Sequence, residues 1–149
     1  MKFSSSKNQK SFVYISRGDS VNSRRLRNEE NLSIALESAG FGIYRLSELT
    51  FLDQVSLFSR ARMIVGVHGA GLANLAFASR GAVVHELFTD QFQPNIYEGL
   101  SLLTGLDYYK IVCEVSEPGK PPHLVDFRLP ETSIITILKH AEQIAAVHD

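Results

Sequence analysis

Met63-Ile64-Val65-Gly66-Val67-His68-Gly69-Ala70-Gly71-Leu72-Ala73-Asn74 runs from an apolar strand through a glycine-bearing turn into a helical pattern that continues to Phe77. A strand that ends in such a turn and opens a helix presents bare backbone N–H groups, which suit an anion. Gly69 and Gly71 let the main chain approach a ligand with no Cβ in the way. His68, at the strand's end, adds a side chain able to donate to a phosphate or sugar oxygen. Turn geometry alone also explains the glycines, and a satisfied structural role explains the histidine. No Gly-Lys-Ser/Thr follows, and Asn74 stands where a dinucleotide fingerprint has its third glycine.

Outward from that stretch, strands and helices alternate. Phe12-Val13-Tyr14-Ile15 is β-branched and aromatic and reads as a buried strand. After a polar loop, Arg17 to Arg27, Asn28 and the acids Glu29 and Glu30 open a capped helix that Gly40 ends. A short strand over Ile43 to Leu46 and a helix over Thr50 to Ala61 lead to the central turn. Beyond it, Ala82 to Leu87 is a strand, Asn95 to Thr104 a helix stopped by Gly105, and Tyr108 to Val115 a strand. Pro118-Gly119-Lys120-Pro121-Pro122 is a loop, and Glu131 to Val147 a last helix. The alternation predicts an α/β, Rossmann-like, mostly parallel sheet with helices on both faces. Such sheets bind ligands at the carboxyl ends of their strands, where Arg17, His68 and Glu86 are expected to converge.

Residues 1–11 are expected to form a basic flexible N-terminal segment and 12–149 one Rossmann-like nucleotide-sugar-binding domain. The net charge of −1 recruits no nucleic acid, although the first 27 residues carry seven bases against one acid. Cys113 is the lone cysteine, expected in the core, and no Cys/His cluster has zinc spacing. No stretch has the length of a membrane span, and the amino terminus lacks a secretory apolar region, so a cytoplasmic location is expected if this is the whole protein. Asp-x-Asp does not occur, so positive charge for a diphosphate has to come from Arg17, Arg24 or Arg25, from His68 and from the helix start.

Ile15-Ser16-Arg17 followed by Arg24-Arg25-Leu26-Arg27-Asn28-Glu29 resembles the opening of the catalytic domain of glycosyltransferase family 61. Leu49 to Ala61 with Ile64 to Asn74 is similar to that family's most distinctive stretch, and Gly81-Ala82-Val83-Val84-His85-Glu86-Leu87 fits its next strand. Ala73 departs from a frequent hydroxyl residue, and His85 is a milder departure. The family includes capsular-polysaccharide enzymes and xylosyl- and N-acetylglucosaminyltransferases. The resemblance implies an inverting, metal-independent glycosyltransferase, of which this chain is the C-terminal, donor-binding half of a GT-B fold. It implies a nucleoside-diphosphate sugar as donor, UDP-linked, with a glycan acceptor and no cofactor. Arg17 and Arg25 would contact the diphosphate, and His68, Gly69, Ala70 and Gly71 would cradle it. Asn74 would lie beside the ligand, and Glu86 would accept from ribose or sugar hydroxyls. Asn28, Glu29 and Gln54 fit the pattern as capping and packing residues. No general base is identified, and a missing N-terminal lobe or partner chain would supply the acceptor site. A non-catalytic α/β interaction module, the remnant of such a lobe, is the competing expectation.

Overall fold

The computed structural model describes residues 10–18, 25–115, 119–121 and 124–147. Arg24, most of the basic segment, Pro118 and Pro122 lie outside them. Six strands form one sheet among these residues: β1 (Phe12–Ile15), β2 (Gly42–Tyr44), β3 (Met63–Val67), β4 (Val83–Thr89), β5 (Asp107–Val115) and β6 (Phe127–Arg128). Their order is β2-β1-β3-β4-β5-β6. The first five run parallel, and β6 pairs antiparallel with β5. In this doubly wound order the chain turns one way from β1 to β2 and the other way to β3, so the switch point lies between β1 and β3.

Alternation along each strand sorts the core into two layers. Phe12, Tyr14, Met63, Val65 and Leu87 face α1 (Glu29–Ser38) and α4 (Glu131–Ala146), where they meet Leu32, Leu36, Ile137 and Ala141. Val13, Ile15, Ile64 and Val84 face α2 (Phe51–Arg60), the 70–77 segment and α3 (Ile96–Thr104), packing on Leu57, Phe58, Leu72 and Leu75. Each such buried side chain contributes about 1.5–3 kcal/mol. The sheet is therefore α/β, Rossmann-like and covered by helices on both faces, as expected. Gly105, in the left-handed region at φ 74°, stops α3, and buried Cys113 has its thiol pushed up to about 12 by burial.

Four local expectations change. The expected helix after the central turn is a 3-10 helix over Ala70–Phe77, because Leu72, Leu75 and Ala78 recur every third residue and all pack inward. The chain after β2 likewise tightens into a short 3-10 turn, Leu46–Glu48. β4 runs two residues past Leu87. Asn28 precedes α1 but does not cap it with its side chain; instead its amide donates to Leu129 O at 2.9 Å and accepts from Leu129 N at 3.0 Å.

Candidate functional site

β1 leaves the sheet through Ser16, whose N–H still pairs with Tyr44 O at 2.9 Å, and Ser16 Oγ accepts from Gly18 N at 3.1 Å in the following turn. That turn aims Arg17 across the switch point, and its Nη1 donates to His68 O at 2.8 Å. The guanidinium lies directly over Gly69: a Cβ there would overlap Arg17 Nη1. Gly69 is extended, with φ 170°, so the glycine is needed for close approach and not for its backbone angle.

His68 follows β3 and its N–H continues the ladder to Leu87 O at 3.0 Å. On the α2/α3 face, Gly66 stands opposite Glu86, which brings His68 diagonally beside it; His68 Nδ1 is 2.6 Å from Glu86 Oε1. On the next strand Tyr108 lies diagonal to Glu86 as well, and its hydroxyl donates to Oε2 at 2.5 Å. Burial first, then the hydrogen bond and charge of Glu86, push the Tyr108 phenol well above its ordinary range. The His68 ring is stacked on Phe88 and flanked by Phe92 and Tyr97.

Glu86 is fully buried with both oxygens engaged. The expected carboxylate at an open strand end, accepting from sugar hydroxyls, is not what the fold builds. Glu86 is the fourth of seven residues in β4, so three more residues carry the strand past it. Its acceptor capacity is directed to His68 and Tyr108.

In the turn itself, the first bond of the 3-10 helix runs from Leu72 N to Gly69 O at 3.0 Å. The N–H groups of Gly69, Ala70 and Gly71 precede it and have no backbone partner among the described residues, as at any helix start. Ala70 is exposed. Gly71 packs against Leu46, whose Cδ1 would lie 2.8 Å from an added Cβ. Asn74 donates to Gly71 O at 3.1 Å and to Gln54 Oε1 at 2.9 Å, while Gln54 Nε2 donates to Leu46 O at 3.0 Å. The Asn74 amide donors are thus spent on holding the turn against α2.

Arg17, His68, Glu86 and the Gly69–Gly71 turn are brought together. Arg25 is placed elsewhere on the carboxyl edge: its N–H donates to Asp126 Oδ1 at 2.8 Å and its carbonyl accepts from Phe127 N at 3.1 Å, fixing its main chain beside β6. Tyr108 is the member that sequence reasoning missed. Its only signal was position at the start of a strand, with nothing to indicate which neighbour it would face.

His85 points to the opposite face, where its Nε2 lies 2.9 Å from His140 Nδ1 and Tyr109 stacks on its ring. Burial and then His140 lower His85 to about 4. A cavity of about 520 Å³, lined by Arg62, Arg80, Asp107 and His140 among others, lies at the amino edge of β4 and β5, away from His68. Among the described residues no three His, Cys, Asp or Glu side chains come together as metal ligands, and no helix is long and apolar enough to cross a membrane.

The family model for glycosyltransferase 61 matches residues 2–85, more than half of the chain, including Arg17, Arg25 and the His68 turn. The chain is 33% identical over 99 residues to the EGF domain-specific O-linked N-acetylglucosamine transferase of Drosophila melanogaster, covering 64% of this chain and 18% of that protein. It is 43% identical over 65 residues to human protein O-linked-mannose β-1,4-N-acetylglucosaminyltransferase 2, covering 42% and 11%. With the β-1,2-xylosyltransferase of Arabidopsis thaliana it shares 26% identity over 130 residues, covering 79% and 22%. The chain therefore matches only 11% to 22% of the length of these relatives.

Proposed function

The chain belongs to glycosyltransferase family 61, and on that premise we propose that it is the donor-binding lobe of an inverting, metal-independent glycosyltransferase. In this reading it is the C-terminal half of a GT-B enzyme, and an acceptor lobe occupies part of the length that its relatives have and this chain does not span. The donor is a nucleoside-diphosphate sugar, UDP-linked, and the acceptor a hydroxyl of a glycan. The relatives' names, N-acetylglucosamine and xylose transferases, support the reaction class.

The observation that carries the reading is the Arg17 guanidinium lying over Gly69 and bonded to His68 O, beside the N–H groups of residues 69 to 71, which have no backbone partner among the described residues. It puts a permanent cation and a helix start at the switch point, where doubly wound sheets take their ligands. A diphosphate seated there meets charge-assisted donors on both sides. During transfer the acceptor oxygen attacks the anomeric carbon from the face opposite the diphosphate and loses its proton to a base on the acceptor side. The anomeric C–O bond breaks, and its electron pair stays on the leaving diphosphate oxygen. Arg17, the turn N–H groups and His68 stabilise that developing charge, the role a bound metal plays elsewhere. Arg25 has its main chain fixed at the β6 end of the same edge.

Calorimetric titration with UDP, UDP-N-acetylglucosamine and UDP-xylose in excess chelator tests this. Binding is expected without added metal, and Arg17→Ala should weaken it at least about tenfold, the loss of one charged hydrogen bond. Absence of heat and of any thermal shift with all three nucleotides would overturn the reading.

A further inference from the structure

We infer that Glu86 and Tyr108 are positioning residues that keep a proton on His68 Nδ1, so that Nε2 alone is left to meet a phosphate oxygen of a nucleoside diphosphate. The identity of the ligand rests on the donor-site reading above; the placement of the proton does not.

The argument begins with burial. Glu86 has no exposed surface, and a carboxylate in such a place persists only when its oxygens are hydrogen-bonded. Two donors supply this, one from each neighbouring strand: His68 Nδ1 at 2.6 Å and the Tyr108 hydroxyl at 2.5 Å. Both oxygens act as acceptors at once when Glu86 is ionised, and the nitrogen facing Oε1 must then carry hydrogen. Nε2 has no hydrogen-bond partner among the described residues. Stacking on Phe88, with Phe92 and Tyr97 against the other sides, holds the ring plane. The ring plane is thus set by Phe88 of β4 with Phe92 after it and Tyr97 of α3, and the proton by Glu86 of β4 with Tyr108 of β5.

The charges around the ring favour an anionic ligand taken up together with a proton from solvent, which goes to Nε2. Glu86 faces it from β4, with Tyr108 from β5 behind. Arg17 holds its carbonyl from the loop after β1, and Lys110 on β5 lies 5.3 Å from the far side of the stack, over Phe88, with Glu98 at 4.0 Å from its ammonium. Tyr97 is the phenol on α3. When a diphosphate arrives, its negative charge stabilises the doubly protonated imidazole, and Glu86 supplies the counter-charge from below. Nε2–H then donates to the oxygen that becomes the leaving group.

The test uses ¹⁵N NMR of the imidazole nitrogens in the free chain, with His68→Gln to assign the signals, and UDP titrations across about pH 5.5 to 8.5. A His68 signal pattern with the proton on Nδ1 is expected in the native chain. Glu86→Gln should abolish that preference, weaken UDP about tenfold at neutral pH, and move the loss of binding to lower pH. Tyr108→Phe removes a donor from the carboxylate and strengthens its hold on the imidazole, so the loss of binding should move to higher pH. Opposite displacements are not what two merely structural substitutions would give. Unchanged His68 signals and unchanged pH profiles in both variants would overturn the inference. If Glu86→Gln does not fold, the sign of the Tyr108→Phe displacement decides alone. Native chain that binds no UDP at any pH defeats the donor reading, while the nitrogen signals still decide where the proton sits.

Discussion

Replacing Gly69 by alanine adds a single carbon at the point where Arg17 crosses the turn. Gly69 is extended, a conformation open to alanine, so the backbone bears no new strain; the shorter list of unfolded conformations even favours the variant by about 0.4–1 kcal/mol. The cost is steric and local, because the new Cβ falls on the Arg17 guanidinium, which must swing away and release His68 O. A charge-assisted bond of this kind is worth about 1.5–3 kcal/mol, toward the lower figure here since Arg17 is only half-buried. Stability should therefore fall by no more than about 1–2 kcal/mol in urea denaturation. UDP affinity should fall about ten- to a hundredfold by calorimetry, the equivalent of the lost guanidinium contact. The two substitutions act through one side chain, so Gly69→Ala should weaken UDP no further once Arg17 is alanine. A Gly69→Ala chain that folds and binds UDP with native affinity would refute the placement of Arg17 over the turn.

Two further outcomes can be checked by denaturation. His85 is held at about 4, below the ordinary 6.5 it regains on unfolding, so the unfolded chain binds the extra proton between those values. Its contribution of about 3 kcal/mol is complete above pH 6.5 and lost as the pH falls toward 4; His85→Phe should flatten stability over that window, and an unaltered slope would contradict the shift. Asn28→Ala leaves both the N–H and the carbonyl of Leu129 without their partner in a buried setting, which should cost about 2–4 kcal/mol in urea; a loss below about 0.5 kcal/mol would mean that water replaces the amide.

The parts of this fold that follow from short-range pattern were legible. The apolar run Met63 to Val67 and the strand read over Ala82 to Leu87 placed the central strands, and Gly105 marked the end of α3. The meeting of Arg17 and His68 followed from strand ends in a doubly wound sheet. What was not legible depends on partners far away in the chain. β6 is two residues long, too short for any periodicity, and exists because it borrows the end of β5 and the Leu26 bridge. Asn28 looks like a helix cap because its neighbours are acidic, and only the fold offers it Leu129, 101 positions away. Glu86 looks like a strand end because Phe88 and Thr89 read equally well as loop. Its burial is visible only once Tyr108 and His68 arrive from the flanking strands.

The strap around Phe127 has a consequence for the order in which the chain matures. Phe127 donates its N–H to Arg25 O and accepts from Arg27 N, and its bridge to Leu26 lies between them. The segment that carries Arg17 away from β1 is thus fastened at its far end by residues that leave the ribosome some hundred positions later. Loops closed by so distant a contact are costly to order early. During synthesis the sheet from β1 to β4 can assemble first, before residues 25 to 27 are fastened. The fastening of residues 25 to 27 then waits for β6, so translation itself delays the completion of this edge of the domain.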